Sequence, residues 1–349
     1  MKGRIYRFLR RRGATPAEIA DAEKGGYLAL LVLDRSVLPG ARRLTRRDVA
    51  QAAGVDVDFA RQVWRALGFP DVDDEVQTFT DSDVRALRAF VERVRKPALR
   101  RSHDARSIQE ARALSGALAR IAEVEGDDLR EELLLAREQG LTDEEIAERL
   151  LDFDFETVAR LVDHAHRLQL RAVLWRKLGG GPPDAHQELA IGFVDLTGYT
   201  ALTASLDDVQ LAELLERFAA LTHDLVVGHG GRIVKNIGDE VMYVADDVPS
   251  AAEIALNLVD ATEADDTLPE VHVGLAFGPV LARDGDYFGP VVNFASRLTD
   301  VARPGTILVS APFADALGGD PRFATQSMRA RRLRDVGRVE LLRLQSRRL

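Results

Sequence analysis

The sequence predicts an α+β chain in which an all-helical first half is followed by a mixed β-sheet flanked by helices. Three observations lead there. Up to residue 178, turn signals separate segments of helical periodicity, and β-branched alternation is scarce. The run Gly179-Gly180-Gly181-Pro182-Pro183-Asp184 can neither continue a helix nor pair as a strand, and it marks a linker. Beyond it, short apolar runs alternate with helical patterns in the order β-α-β-β-α-β, with antiparallel extensions. The expected organisation is a helical domain over residues 1–178, a Gly/Pro linker over 179–187 and a sheet domain over 188–349.

Each element has a local reason. Thr15-Pro16-Ala17-Glu18 opens a helix with an N-cap, a proline at the first helical position and an acidic first turn. Residues 45–53 read as a second helix, followed by Gly54, and 58–67 as a third, ended by Gly68 and Pro70. Thr80-Asp81-Ser82-Asp83 caps a fourth, in which Val84, Leu87, Phe90, Val91 and Val94 repeat at helical spacing. Helical patterns resume over 107–140, 142–151 and 155–178. In the second half, 189–196 is an apolar strand with Asp195 near its end, and 209–227 a helix. Residues 232–237 and 240–245 are strands around Gly238-Asp239, and 250–262 a helix. A strand over 270–277 is expected to bend at Gly278-Pro279 into 280–283. A helix over 290–301 and strands near 306–310 and at the C-terminus complete the pattern.

The chain has 349 residues, a formal charge of −9 and no cysteine. Without cysteine, disulfides, thiol nucleophiles, iron–sulfur clusters and thiolate zinc sites are excluded, which fits a reducing, cytoplasmic compartment. The longest apolar run near the start, residues 27–33, is far short of the roughly 20 residues of a membrane span. The basic opening over 1–12 leads into no signal-peptide core. The charge divides unevenly, at +1 for residues 1–178 and −10 for the remainder.

Asp195 and Asp239 are the most informative residues. Each stands at or just past a strand end, where two carboxylates can share one edge of a sheet and offer hard oxygen donors to Mg²⁺ or Mn²⁺. Taken singly, each also reads as an ordinary turn aspartate. Leu196-Thr197-Gly198 forms a small-residue turn whose backbone N–H groups can face phosphate.

Three longer motifs join these residues. They are Phe193-Val194-Asp195-Leu196-Thr197-Gly198-Tyr199-Thr200, then Gly230 to Met242 with Lys235-Asn236-Ile237-Gly238-Asp239-Glu240 at its centre, then Asp286-Tyr287-Phe288-Gly289-Pro290-Val291-Val292-Asn293-Phe294-Ala295-Ser296-Arg297-Leu298. In that order, and over about residues 188–345, the second half resembles the class III nucleotidyl cyclase catalytic domain, a ferredoxin-like fold. The resemblance assigns Asp195 and Asp239 to two divalent ions, Mg²⁺ or Mn²⁺, Lys235 and Asp286 to the purine, and Asn293 and Arg297 to the transition state. Phe193, Thr197 and Gly198, within the first motif, complete the expected substrate-binding set. The activity implied is conversion of ATP to 3′,5′-cyclic AMP and pyrophosphate. ATP is expected over GTP because adenine offers an acceptor at N1 and a donor at its 6-amino group, which Lys235 and Asp286 complement. All six metal, purine and transition-state residues occur in one chain, so the resemblance implies a homodimer with two composite sites. One departure is visible: Ala276-Phe277 stands where many members carry His-Thr or His-Ser. The short connection Arg283-Asp284-Gly285 suggests a short dimerisation arm.

The first half contains a helix-turn-helix-like segment over 44–94, similar to winged-helix regulators of the mercury-resistance type. Asp56 and Asp58 in its presumed recognition segment oppose phosphate contact, so nucleic acid is not the expected partner. The alternative is a DNA-binding regulator whose cyclase-like domain senses nucleotide. The expected role is regulatory, since the layout resembles cyclases whose helical N-terminal module senses pH and restrains catalysis. On the helix over 155–178, His164 and His166 are candidate proton sensors. Two residues apart, they face different sides and cannot share a metal. Ordinary surface histidines, and an apolar effector pocket near Leu28, Leu30, Leu31, Val32 and Leu33, are the competing readings.

Overall fold

The structure, a computed structural model, describes residues 2–95, 104–178 and 187–347. It divides into two units, Met1–Gly180 and Gly181–Leu349. The linker expected at 179–187 lies outside the described residues, apart from Gln187, which opens the first strand.

The first unit comprises α1 (Lys2–Arg11), α2 (Pro16–Gly25), α3 (Leu28–Val37), α4 (Arg46–Ala53), α5 (Val57–Ala66), α6 (Asp81–Arg95), α7 (Asp104–Glu138), α8 (Asp143–Leu150) and α9 (Phe155–Leu178). Capping chemistry sets several starts. Thr15, Thr45 and Thr142 each accept a bond from the backbone N–H three residues on, while the carboxylates of Glu18, Asp48 and Glu145 accept one from the cap backbone. Such caps contribute about 1 kcal/mol each.

Helices α1 and α3 go beyond the sequence expectation. Ile5, Phe8 and Leu9 of α1 make a short apolar stripe on an otherwise basic helix, and α3 is apolar at successive positions, which hides its period. Both pack with Ile146, Ala147 and Leu150 of α8 in one core. A second core joins Val49, Val63, Phe79 and Leu87, with Trp64 edge-on to Phe79 at 5.3 Å. Beside it, the buried Arg46 meets Asp74 at 2.6 Å, and Arg61 reaches the other oxygen of Asp74, also at 2.6 Å. Arg65 pairs with Asp71. The arginines of α5, which a DNA reading would aim at phosphates, are therefore engaged by neighbouring aspartates.

The second unit runs β1 (Gln187–Leu196), α10 (Tyr199–Thr203), α11 (Asp208–Gly228), β2 (Arg232–Ile237), β3 (Glu240–Ala245), α12 (Val248–Glu263), β4 (Val271–Arg283), β5 (Asp286–Phe288), α13 (Pro290–Thr299), β6 (Ile307–Val309), α14 (Ala311–Ala316), β7 (Phe323–Leu333) and β8 (Gly337–Ser346). The strands form one sheet in the order β2-β3-β1-β4-β6-β8-β7, with β5 on β4. The pairing of β4 with β6 is parallel, and the other pairings are antiparallel. This is the mixed sheet with flanking helices that the sequence predicts. On one face Val194, Val241 and Val273 pack with Val226 of α11 and Leu258 of α12. On the other, Ile191, Phe193 and Met242 pack with Ala295 of α13.

The expected bend at Gly278-Pro279 does not occur. β4 continues through it because β1 extends to Gln187 and pairs with Val280, Pro279 and Gly278 in unbroken register. Gly274 of β4 sits under α13, where a Cβ would collide with the Ala295 carbonyl and the Thr299 amide. Its absence lets the helix lie directly on the strand. Among the described residues, no helix is long and apolar enough to cross a membrane.

Candidate active site

Antiparallel register builds the first group. Asp195 of β1 stands opposite Glu240 of β3 and His272 of β4. Residues so opposed share a face, so His272, Asp195 and Glu240 form a row across three strands. Phe193 lies two residues along the same face. Its ring is only 5% exposed, so the side chain packs beneath the row in the core. Asp239 occupies the two-residue turn between β2 and β3, where Gly238 adopts the positive φ of 65° that suits such a hairpin. Thr197 follows Asp195 in the turn out of β1, its backbone N–H donating to the Glu270 carbonyl at 2.9 Å. Gly198 beside it is exposed and has φ 73°.

These charges strain one another. Burial raises Asp195, but hydrogen bonds with His272 and with Asp239 hold it below the ordinary carboxylate range. Asp239 is pushed up to about 6, by burial first and then by the Asp195 carboxylate. Glu240 is pushed up to about 7 by burial, then by Asp195, Asp300 and Asp239. Two half-buried carboxylates sharing a proton are a hard-oxygen site that a divalent cation relieves. Among the described residues, no three His, Cys, Asp or Glu side chains gather into a metal cage. The carboxylate oxygens of Asp195 and Asp239 are a donor set that fits a hard divalent ion taking its remaining ligands from substrate and water.

The second group is Lys235 and Asp286, joined by an ion pair of 2.6 Å. The β2–β3 register shifts between Ile233 and Lys235, and such a bulge re-aims the side chain that follows. Asp286 opens β5, reached through the turn Asp284-Gly285, both residues at positive φ. The third group lies on α13. Asn293 and Arg297, one helical turn apart, line a cavity of about 560 Å³ with Pro290, Phe294 and the β7–β8 turn of Arg334, Asp335 and Val336. Arg297 meets Asp300 at 2.8 Å and Asp335 at 3.9 Å.

The structure therefore brings Asp195 to Asp239, Lys235 to Asp286, and Asn293 to Arg297. His272 and Glu240 join the first group and Arg334 the third. Sequence reasoning does not find them, because membership depends on strand register and on a hairpin returning to α13. His164 and His166 are exposed on α9, a helix without a buried residue.

Residues 182–343 match the family model described as adenylate and guanylate cyclase catalytic domain. An adenylate cyclase of Streptomyces coelicolor is 37% identical over 92% of this chain and 90% of its own length. One from Streptomyces griseus is 37% identical over 82% of this chain and 71% of its own. A pH-sensitive adenylate cyclase of Mycobacterium tuberculosis is 29% identical over 98% of this chain and 87% of its own. With the cyclase motifs carried on the expected sheet and a full-length relative above 30% identity, the chain belongs to the class III adenylate cyclases, an enzyme family.

Proposed function

We propose that the protein converts ATP to 3′,5′-cyclic AMP and pyrophosphate at composite sites of a homodimer. The observation that carries this is the Asp195–Asp239 pair, two carboxylates from adjacent strand ends that hydrogen-bond to each other, with Asp239 pushed up to about 6 by burial and then by Asp195. In the reaction the ribose 3′-oxygen bonds to the α-phosphorus, the bond from that phosphorus to the pyrophosphate oxygen breaks with its electron pair leaving on pyrophosphate, and the 3′-hydroxyl proton passes to solvent water. Bound Mg²⁺ or Mn²⁺, two per site, would lower the 3′-hydroxyl pKa and offset charge on the departing pyrophosphate.

The chain's own residues do the rest. Asp195 and Asp239 would hold the ions, and the Thr197-Gly198 turn would face the phosphates. Lys235 donates to adenine N1, and Asp286 accepts from the 6-amino group. Their mutual ion pair keeps both side chains aimed at one place before substrate arrives. Arg297 binds the α-phosphoryl oxygens through its planar fork of donors. Asn293, on the same face of α13, orients the ribose. In the composite arrangement the carboxylates of one chain meet the Lys, Asp, Asn and Arg of its partner. Incubation of the protein with ATP and Mn²⁺ should yield cyclic AMP, and Asp195→Asn or Asp239→Asn should abolish it. Undiminished turnover in both variants would refute the reading.

The helical domain over residues 1–178 is the proposed restraint on catalysis, with protons as its effector through His164 and His166. Support comes from the pH-sensitive relative, which matches nearly the whole chain rather than the sheet unit alone. A pH–activity profile of the His164→Ala/His166→Ala chain identical to wild type would exclude these two residues. With ATP as substrate and no cysteine to protect, the cytoplasm is the proposed compartment.

A further inference from the structure

His272 touches both halves of the catalytic edge. Its Nε2 lies 3.1 Å from Asp195 Oδ2, and its Nδ1 lies 3.3 Å from Thr197 Oγ1. The ring is largely enclosed, with 15% of its side chain exposed. Geometry dictates the proton arrangement. A bare Nε2 facing a carboxylate oxygen at this distance would set lone pair against lone pair, so Nε2 must carry hydrogen and donate to Asp195. Nδ1 faces the Thr197 hydroxyl, which can both donate and accept and so meets this nitrogen whether or not it carries hydrogen. Thr197 is also tied by its backbone N–H to the Glu270 carbonyl, two residues before His272. The turn that leaves β1 is thus stitched to β4 at two points, one of them through this imidazole.

We propose that His272 is a positioning residue that fixes the Asp195 carboxylate and the Thr197 turn as one unit, so that the cation and the phosphates of the nucleotide are received in a set relation. This rests on the cyclase reading above. Hydrogen-bonded supports of metal-binding carboxylates commonly change metal affinity by about 10- to 100-fold when removed. His272 has a second attachment, and its loss should therefore be felt by both the cation and the nucleotide.

The test is calorimetric titration of Mn²⁺ into the full chain, with and without 3′-deoxy-ATP, which has no hydroxyl to cyclise. Wild type is compared with His272→Phe, His272→Gln and Thr197→Val, and KM and kcat for ATP are measured alongside. The expected result is Mn²⁺ affinity weakened about tenfold or more in His272→Phe. His272→Gln, whose amide keeps an N–H for Asp195, should recover most of that loss. Thr197→Val should raise KM for ATP while leaving Mn²⁺ binding without nucleotide close to wild type. Combining Thr197→Val with His272→Phe should raise KM no further than His272→Phe alone, because the Thr197–His272 contact is already gone. Wild-type Mn²⁺ affinity in His272→Phe, or a His272→Gln protein as impaired as His272→Phe, would overturn the inference while leaving the cyclase reading intact. A wild-type chain that makes no cyclic AMP would overturn both.

Discussion

At the scale of single residues, the proposed roles separate selectivity from chemistry. Lys235 and Asp286 are the residues proposed to meet the base, so Lys235→Glu with Asp286→Cys should reverse the donor and acceptor pattern. The ATP-to-GTP preference measured with both nucleotides should fall or invert, and an unchanged preference would remove these residues from base recognition. Arg297 is proposed to act on charge that develops in the transition state. Its replacement by Ala should lower kcat by about 10²- to 10³-fold with a smaller effect on KM. Asp239 supplies a pH prediction. Its raised pKa means that below about 6 it carries a proton in the metal-free protein. A cation held there as proposed would have to displace that proton, so apparent Mn²⁺ affinity should be steady above this range and fall as pH drops through it. The slope should approach about tenfold per unit for one displaced proton. The residues proposed for this chemistry are legible as motifs because Asp195, Lys235, Asp239, Asp286, Asn293 and Arg297 lie in contiguous runs. Glu240 was visible only as a neighbour of Asp239, and His272 as an unremarked position in a strand, since their place beside Asp195 is set by cross-strand register.

Secondary-structure elements show the same division between local and long-range information. Helices opened by Thr15, Thr45 and Thr142 were readable because a cap and its return contact lie three residues apart. The unbroken course of β4 was not, because Gly278-Pro279 is a turn signal by itself and is overridden only by pairing with the start of β1. The short β5 likewise exists only as a partner of β4. The contact between α13 and β4 has a direct test. In Gly274→Ala the new methyl would meet the helix backbone, which cannot rotate away as a side chain could. Lifting α13 should cost about 1–3 kcal/mol, read as a lower thermal midpoint of the full chain. Because α13 carries Asn293 and Arg297, kcat should fall as well. A Gly274→Ala protein with wild-type stability would show that the helix has slack over the strand.

For the whole molecule, the division into a near-neutral helical unit and an acidic sheet unit now has a chemical sense. Carboxylates of the sheet unit are where cations would join the protein to a polyanionic substrate, and the basic C-terminal stretch, +7 over residues 321–349, includes Arg334 beside the α13 cavity. In the proposed homodimer each chain carries both halves of a site that only two chains complete. Chains bearing Asp195→Ala and chains bearing Arg297→Ala, each inactive alone, are to be mixed under conditions that exchange subunits, and cyclic AMP formation measured. Half of the dimers should then be mixed, each with one intact site, giving about one quarter of wild-type activity. No recovery in a mixture shown to contain mixed dimers would contradict the composite site.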